Sequence, residues 1–447
     1  MIPIVTPEEM AAIDRAASDP VEVLIDRAGA AVADAARRLL GRSYGRRVVV
    51  VAGKGNNGND GRAAAVRLER RGVRVVVIDA ADAPERLPAA NLVIDAAYGT
   101  GFRGEYVAPD PADAPVLAVD IPSGVDGLTG EAGEHAVRAD ATVTFAALKP
   151  GLLLLPGREL AGAVRVADIG LDVSSALAHR VEAADVAAWL SRPPLDTHKW
   201  KAAVWVVAGS PGMTGAAALA ARGAQRTGAG YVRLSTPGAS PGDGSPLEVV
   251  GTELASRGWV GDVLDGIGRF KAMVVGPGLG AEASDDDVGR LLREAPIPLV
   301  VDGDGLNALG KVDGPLGGAG TVMTPHDGEY ERLTGRAPGP DRFAAARGLA
   351  SVAGSVVLLK GPTTIVASPD GRALAVVASS PALATAGTGD VLSGIVAALC
   401  AGGLDPFRAA AGGAFLHQRA ATLGFRRGLV AGDLPDLLPL AVDSLEA

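Results

Sequence analysis

Short apolar runs alternate with glycine-rich polar loops along the whole chain. Residues 6–40 carry apolar positions at helical spacing and predict two helices, with Glu8, Glu9 and Asp14 supplying the acid that helix amino ends prefer. Residues 48–52 (VVVVA) form a continuous β-branched run, the mark of a strand covered on both faces. That run feeds the loop GKGNNGNDG (residues 53–61), then a helix over 62–71 and a strand over 73–79. Further strands are predicted at 91–95, 115–120, 141–145 and 164–169, and the first three end in AAYGTGFRGE, IPSGVDG and AALKPG. A short helix over 183–190 precedes SRPPLDT (residues 191–197), where two prolines cannot continue a helix. The domain boundary is expected there, giving domains of residues 1–190 and 191–447.

The second half follows the same plan. Strands are predicted at 202–208, 230–235, 271–275, 298–301, 321–324, 355–359 and 364–367, with a helix over 216–227 and a tight turn at 368–372. The loops GSPGMTGAA, GPGLG, DGDGLN, PHDGEYERLTG and KGPTT follow strand ends, and TAGTGD opens a buried helix over 391–400. Strand–loop–helix units of this kind predict an α/β fold with parallel sheets, whose ligands bind at the carboxyl ends of the strands.

The 447 residues, 48% apolar and 21% charged, fit a globular chain of two domains. The 61 glycines and 30 prolines sit between apolar runs without a period, which predicts many tight turns rather than disorder. A net charge of -9 and the lack of a basic stretch argue against nucleic acid as a partner. No apolar run approaches the length needed to span a bilayer, and the amino end lacks a signal-peptide layout, so no membrane partner and a cytoplasmic location are expected. The single cysteine, Cys400, lies in an apolar run and is expected to be inert. A homo-oligomer is the expected assembly.

Candidate chemistry collects in the strand-end loops. Gly387-Thr388-Gly389 aims backbone N–H groups at one point before a helix start, an anion hole, and Asp390 beside it is placed to take a proton from a hydroxyl during phosphoryl transfer. The competing reading is Asp390 as an ordinary helix N-cap. Asn57, Asp95 and Ser123, from three separate loops, make a hard oxygen set suited to a cation. Asp120 ends its strand where it can bond a ribose or shuttle a proton, and Lys149 is either a pocket residue or a surface lysine. His326 stands at a strand end in the layer of GPGLG and GTGD, and Lys360, next to Gly361, can reach a phosphate. Asp302 and Asp304 are turn formers or neighbours of the nucleotide.

The segments GKGNNGNDGRAAAVRL, DAAYGTGFRGE, DIPSGVDG and ALKPG resemble the NAD(P)H-hydrate epimerase family, a Rossmann-like α/β/α sandwich. The resemblance implies K⁺ at Asn57, Asp95 and Ser123. It also implies substrate contacts at Asn56, Asn57, Gly58, Asn59 and Asp60, at Gly99, Thr100, Gly101, Phe102, Arg103, Gly104 and Glu105, and at Asp120 as the catalytic carboxylate. Asn59 departs from the second glycine usual in N-N-G-G-D. The second half resembles ribokinase-like kinases, and more closely the NAD(P)H-hydrate dehydratases, through AGSPGMTGAA, VVGPGLG, DGDGLN, TPHDGEYERL, LLKGPTT and TAGTGDVLSG. That resemblance implies hydrate contacts at Ala217, Gly278, His326 and Asp390, and ADP contacts at Lys360, Gly361, Pro362, Thr363, Thr364 and Gly389, with Mg²⁺ accompanying the nucleotide. Trp200 stands where the family more often has Gly. The implied activity is repair of hydrated NADH and NADPH: epimerisation of the R- and S-hydrates, and dehydration of the S-hydrate with ADP to give NAD(P)H, AMP and phosphate. Two rivals are a ribokinase-like small-molecule kinase with a fused nucleotide-binding module, and a first domain that serves as a sensor or scaffold.

Overall fold

The computed structural model describes residues 1–102, 104–190, 192, 194–239, 245–280, 285–318, 320–378 and 380–445. It divides into two compact units, Ile2–Ala178 and His179–Ala447. Among the described residues no helix is long and apolar enough to cross a membrane.

In the first unit, β1 (Ile2–Ile4) bridges to Leu148. Then β2 (Arg47–Ala52), β3 (Arg74–Asp79), β4 (Leu92–Ala96), β5 (Val116–Val119), β6 (Ala141–Phe145) and β7 (Ala163–Ala167) form one sheet in the order β3-β2-β4-β5-β6-β7. Every pairing is parallel. Val48 to Val51 are buried on both faces, as their unbroken apolar run requires. One face packs on helices Val21–Leu40 and Asn56–Glu69 through Val48, Val50, Leu92 and Ile94. The other face, with Val49, Val51, Val93 and Val116, is covered by loops. Pro84, Pro88, Pro109, Pro111 and Pro115 fall in those connections and exclude α-helix there. At the edge, Val76 and Val77 of β3 are exposed, so this strand is less covered than its sequence suggests.

The division falls within β8 (Ala178–Arg180), which lies beside β17 (Ala373–Val377) of the second unit. Val181 N–H continues that edge by donating to Ala375 O, and Val186 of helix Ala183–Trp189 enters this unit's core. The units therefore divide twelve residues before the expected position, and the proline-bearing stretch at 191–197 is a loop inside the second unit. From β8 onward the sheet runs β8-β17-β16-β15-β14-β13-β12-β9-β10-β11, with β9 (Ala203–Val207), β10 (Tyr231–Ser235), β11 (Val250–Gly251), β12 (Ala272–Val275), β13 (Leu299–Val301), β14 (Thr321–Met323), β15 (Val356–Leu359) and β16 (Thr363–Ala367). Pairings from β11 to β15 are parallel; β15–β16 and β16–β17 are antiparallel hairpins. Sequence reading missed β17, whose run ALAVV follows the turn at 368–372, and the closing helices Pro406–Leu423 and Leu434–Asp443.

Helix Thr388–Ala401 is buried along nearly all its length and lies against helix Thr214–Arg226. The approach is closer than any side chain permits. A Cβ on Gly394 would stand 2.0 Å from Ala220 O, and one on Gly223 2.5 Å from Val391 O. Gly394→Ala is therefore expected to lower unfolding free energy by about 1–3 kcal/mol, the usual range for overpacking. Gly348→Ala, on helix Arg342–Ala353 with open space around the new methyl, is expected to raise it by about 0.4–1 kcal/mol. Denaturant titration of the two variants checks both signs.

Candidate active sites

In the first unit the connection after β2 leads to β3 on one side and that after β4 leads to β5 on the other, so a crevice opens between the loops after β2 and β4. These loops touch backbone to backbone: a Cβ on Gly53 would stand 1.9 Å from Ala97 O, and one on Gly58 1.9 Å from Gly53 O. A cavity of about 790 Å³ fills the crevice, within the range of small-molecule sites. Asn56, Asn57, Asp60, Gly99, Thr100, Gly101, Phe102, Asp120 and Lys149 line it. Gly58, Asn59, Gly104 and Glu105 do not, and Arg103 lies outside the described residues. Asn59 sits within helix Asn56–Glu69 and is not among the positive-φ residues, so its position needs no glycine.

Asp14, Asp19, Asp60 and Asp120 share this cavity with the buried Lys149. Lys149 Nζ lies 2.8 Å from Asp120 Oδ1 and also donates to Thr144 Oγ1 at 2.9 Å and Phe145 O at 3.1 Å. Burial alone would raise the Asp120 carboxyl; the Lys149 charge and its hydrogen bond outweigh that and hold it below the usual carboxylate range. Asp120 takes φ +67°, a left-handed conformation rare outside glycine, and turns toward the Thr100 N–H at 3.4 Å. Asp60 behaves oppositely. Burial, then the charges of Asp120 and Asp14, push it up to about 8. Asp14 is also raised, by burial first, with Lys149 opposing and Asp120 assisting. The sequence reading placed Asp14 among the acids of a helix start. It is instead near the end of helix Pro7–Ala16 and lines the cavity.

Of the oxygen set, Asp95 and Ser123 are in contact, whereas Asn57 lines the cavity and Asp95 does not. Ser123 donates to Asp95 twice, from Oγ to Oδ1 at 2.7 Å and from N–H to Oδ2 at 2.8 Å, and Tyr98 N–H donates to Ser123 Oγ at 2.9 Å. Burial pushes Asp95 up to about 6 against those hydrogen bonds. The Asn57 amide is buried with neither its oxygen nor its nitrogen hydrogen-bonded. A Cβ on Gly99 would lie 3.4 Å from Asn57 Cγ and 3.3 Å from Asp120 Oδ2, so Gly99 separates the amide from the carboxylate.

In the second unit, Asp390 is the third residue of its helix and Gly387 (φ +88°) is the N-cap, which removes the capping role for Asp390. Burial, then the Asp302 charge, push Asp390 up to about 7, with Lys360 opposing. Asp302 is buried, accepts from Lys360 Nζ at 2.8 Å and Ser393 Oγ at 2.7 Å, and is held low by these partners against the cost of burial. Lys360 Nζ also lies 3.5 Å from Glu329 Oε2. A Cβ on Gly389 would meet Lys360 Nζ at 3.5 Å and Asp302 Oδ2 at 3.6 Å, so the absent side chain keeps the hole open.

His326 caps helix Asp327–Thr334: its Nδ1 accepts from Gly328 N–H at 3.0 Å and Glu329 N–H at 3.3 Å. Its ring remains half exposed. Ala217 is fully buried, and a Cβ on Gly209 would lie 3.0 Å from its methyl. Gly278 takes φ +65° and its carbonyl accepts from Ser210 Oγ at 3.0 Å. Gly361 and Pro362 make the β15–β16 turn; Thr363 and Thr364 are buried on β16. Asp304, left unassigned from sequence, accepts from Gly280 N–H at 2.8 Å and fixes the GPGLG loop. Trp200 stacks on Tyr231 (4.3 Å between centroids) at the amino ends of β9 and β10, the sheet edge opposite these loops, so its departure from glycine does not reach the site.

The raised Asp60 sets a sign for stability. Folded Asp60 keeps its proton up to about pH 8, whereas the unfolded chain loses it near pH 4, so its contribution declines as pH rises between those values. Asp60→Asn is expected to raise the melting temperature of the first unit more at pH 8 than at pH 5, as read by calorimetry.

Residues 204–441 match the family model described as NAD(P)H-hydrate dehydratase, and residues 21–91 and 78–151 match the YjeF-related protein N-terminus. The bifunctional NAD(P)H-hydrate repair enzyme Nnr of Moorella thermoacetica is 36% identical over 517 aligned residues, covering 99% of this chain and 97% of that protein. Its counterpart from Mycobacterium leprae is 37% identical, covering 91% and 90%. Among solved structures, an ADP/ATP-dependent NAD(P)H-hydrate dehydratase from Bacillus subtilis, co-crystallised with ATP and Mg²⁺, is similar with a TM-score of 0.52 and 29% identity, covering 59% of this chain and 97% of that one. A ribokinase-like superfamily protein from Enterococcus faecalis shares the fold at 20% identity and TM-score 0.52, covering 60% and 96%.

Proposed function

The chain belongs to the bifunctional NAD(P)H-hydrate repair enzymes, and from that premise we propose how its residues divide the work. The first unit interconverts the R- and S-hydrates of NADH and NADPH. The second dehydrates the S-hydrate with a nucleoside diphosphate. The observation that carries the reading is the pairing, in each unit, of a carboxylate held low by a lysine 2.8 Å away with a neighbouring carboxylate held high.

For the dehydratase, Asp390 is the base. Raised to about 7, it is poised to accept the proton of the C6 hydroxyl as that oxygen attacks the β-phosphorus of ADP. The bond from phosphorus to AMP breaks, and N–H groups of the Gly387–Asp390 turn stabilise the oxygens of the moving phosphoryl group. The C6–O bond then breaks with phosphate as leaving group, a ring proton is lost, and the double bond returns. Lys360, Gly361, Pro362, Thr363, Thr364 and Gly389 hold the nucleotide in this reading, and Ala217, Gly278 and His326 hold the hydrate. Among the described residues no three of His, Cys, Asp and Glu gather as a metal cage, so Mg²⁺ would enter on the nucleotide phosphates.

For the epimerase, ionised Asp120 and protonated Asp60 face one cavity as base and acid, an arrangement that moves protons on a bound ring in either direction. The orphaned Asn57 amide oxygen, with Asp95 and Ser123, suits a weakly charged cation such as K⁺, which would supply a positive centre beside the substrate. Two-unit repair is favoured over the kinase reading because the first unit carries its own cavity with a complete acid–base set.

With pure S-hydrate and ADP, Asp390→Asn is expected to lower the dehydration rate by about 10²–10⁴-fold, the scale of a lost general base, while epimer exchange followed by chromatography is unchanged. Wild-type rate should rise as pH rises through about 7, as Asp390 loses its proton. Retained dehydration in the variant contradicts the assignment. Asn57→Leu is expected to abolish any K⁺ dependence of epimerisation, read from rates in K⁺ and in tetramethylammonium buffers.

A further inference from the structure

Helix Arg342–Ala353 opens on a residue of the wrong sign. A helix amino end carries partial positive charge and favours acid in its first turn, yet Arg342 stands at the first helical position and that turn holds no acid. Capping does not call for the arginine either: Asp341 is the N-cap and accepts from Ala344 N–H at 2.9 Å.

The guanidinium reaches two other elements. Its Nη1 and Nη2 donate to Asp327 Oδ2 at 3.1 Å and Oδ1 at 2.8 Å, a two-pronged contact with the first residue of helix Asp327–Thr334. Nη2 also donates to the Lys360 carbonyl at 2.8 Å. The arginine side chain is 15% exposed, and its Nε is buried without a hydrogen-bond partner. An apolar side chain would avoid both that orphaned donor and the conflict with the helix dipole. The next residue of the turn leaves room for this group. A Cβ on Gly361 would stand 2.9 Å from Arg342 Nη2, and Gly361 is not among the positive-φ glycines, so the guanidinium, not the backbone angle, is what a side chain would meet.

Lys360 is thereby held at each of its polar groups. Its N–H donates to Pro325 O at 2.8 Å, its Nζ clamps Asp302 at 2.8 Å, and its carbonyl accepts from Arg342. The Lys360–Gly361 peptide is not cis, so fixing its carbonyl also fixes the Gly361 N–H on the opposite side of the peptide plane. From this geometry we infer that Arg342 is a positioning residue for the nucleotide: braced by Asp327, it sets the Lys360–Gly361 peptide so that the Gly361 N–H is presented to ADP.

This role rests on the dehydratase reading, and the experiment separates the two. Arg342→Met keeps much of the side-chain bulk and removes all three hydrogen bonds. Titration calorimetry of the full chain with ADP is expected to show about tenfold weaker binding in Arg342→Met, the scale of one lost hydrogen bond from a charged group. With S-hydrate and ADP, the ADP KM should rise by a similar factor, while kcat and the hydrate KM stay within about twofold. Asp327→Ala, which removes the brace, should weaken ADP about threefold, and the double variant should bind ADP no more weakly than Arg342→Met alone, because Asp327 acts through Arg342. A purely structural tie between the two helices would lower the melting temperature and the active fraction and leave the ADP Kd unchanged. An unchanged Kd, or additive losses in the double variant, overturns the inference. If the methionine variant does not fold, Arg342→Gln takes its place in the same comparison. A wild type that binds ADP without dehydrating the hydrate sinks the dehydratase reading and leaves Arg342 judged by the binding constants; a wild type that binds no ADP overturns both.

Discussion

Everything in both sites depends on backbone meeting backbone at the carboxyl ends of parallel strands. Where the Gly53 Cα faces the Ala97 carbonyl, and where helix Thr388–Ala401 meets helix Thr214–Arg226 at Gly223 and Gly394, no Cβ fits. The first contact joins the loops after β2 and β4 into one wall of a cavity. The second holds the amino end of a buried helix at a fixed height above the sheet, and with it the Gly387–Asp390 turn. Parallel register does the rest, since it ends neighbouring strands together and so brings their loops to one edge.

On that scaffold the two units use one electrostatic device. A deep carboxylate is clamped by a lysine at 2.8 Å, Asp120 by Lys149 and Asp302 by Lys360, and stays ionised despite burial. Close by, a carboxylate in the first turns of a helix has no such clamp and is pushed up by burial and by the charge of its clamped neighbour: Asp60 to about 8, Asp390 to about 7. The same burial gives opposite outcomes because a counter-charge is present in one case and absent in the other. One fold edge thereby offers both a ready acceptor and a ready donor of protons at neutral pH.

The repeating strand–loop–helix order was legible because β-branched runs such as residues 48–52 have few other stable uses, and glycine-rich loops can only follow them. Asn57, Asp95, Ser123, Asp120 and Asp390 could be singled out as strand-end polar residues before any coordinates. Their partners could not. Lys149 lies 29 positions from Asp120 in sequence, and its direction is set by the chain reversal at Ala146, a non-glycine residue at φ +60°. Asp14 read as a helix-dipole acid because its role depends on which helix face meets the cavity. The compact units part ahead of the prolines at β8, a strand of only three residues that gains its identity from pairing with β17, almost two hundred residues away.

The central claim is that one chain repairs both epimers. The direct measurement is absorbance at the reduced-nicotinamide band after adding the full chain and ADP to an epimer mixture of NADH hydrate. The account predicts recovery of the whole sample, with Asp120→Asn stopping near the share of the S-epimer. Wild-type recovery that halts at the S share contradicts the epimerase assignment, and no recovery with either ADP or ATP contradicts the account as a whole.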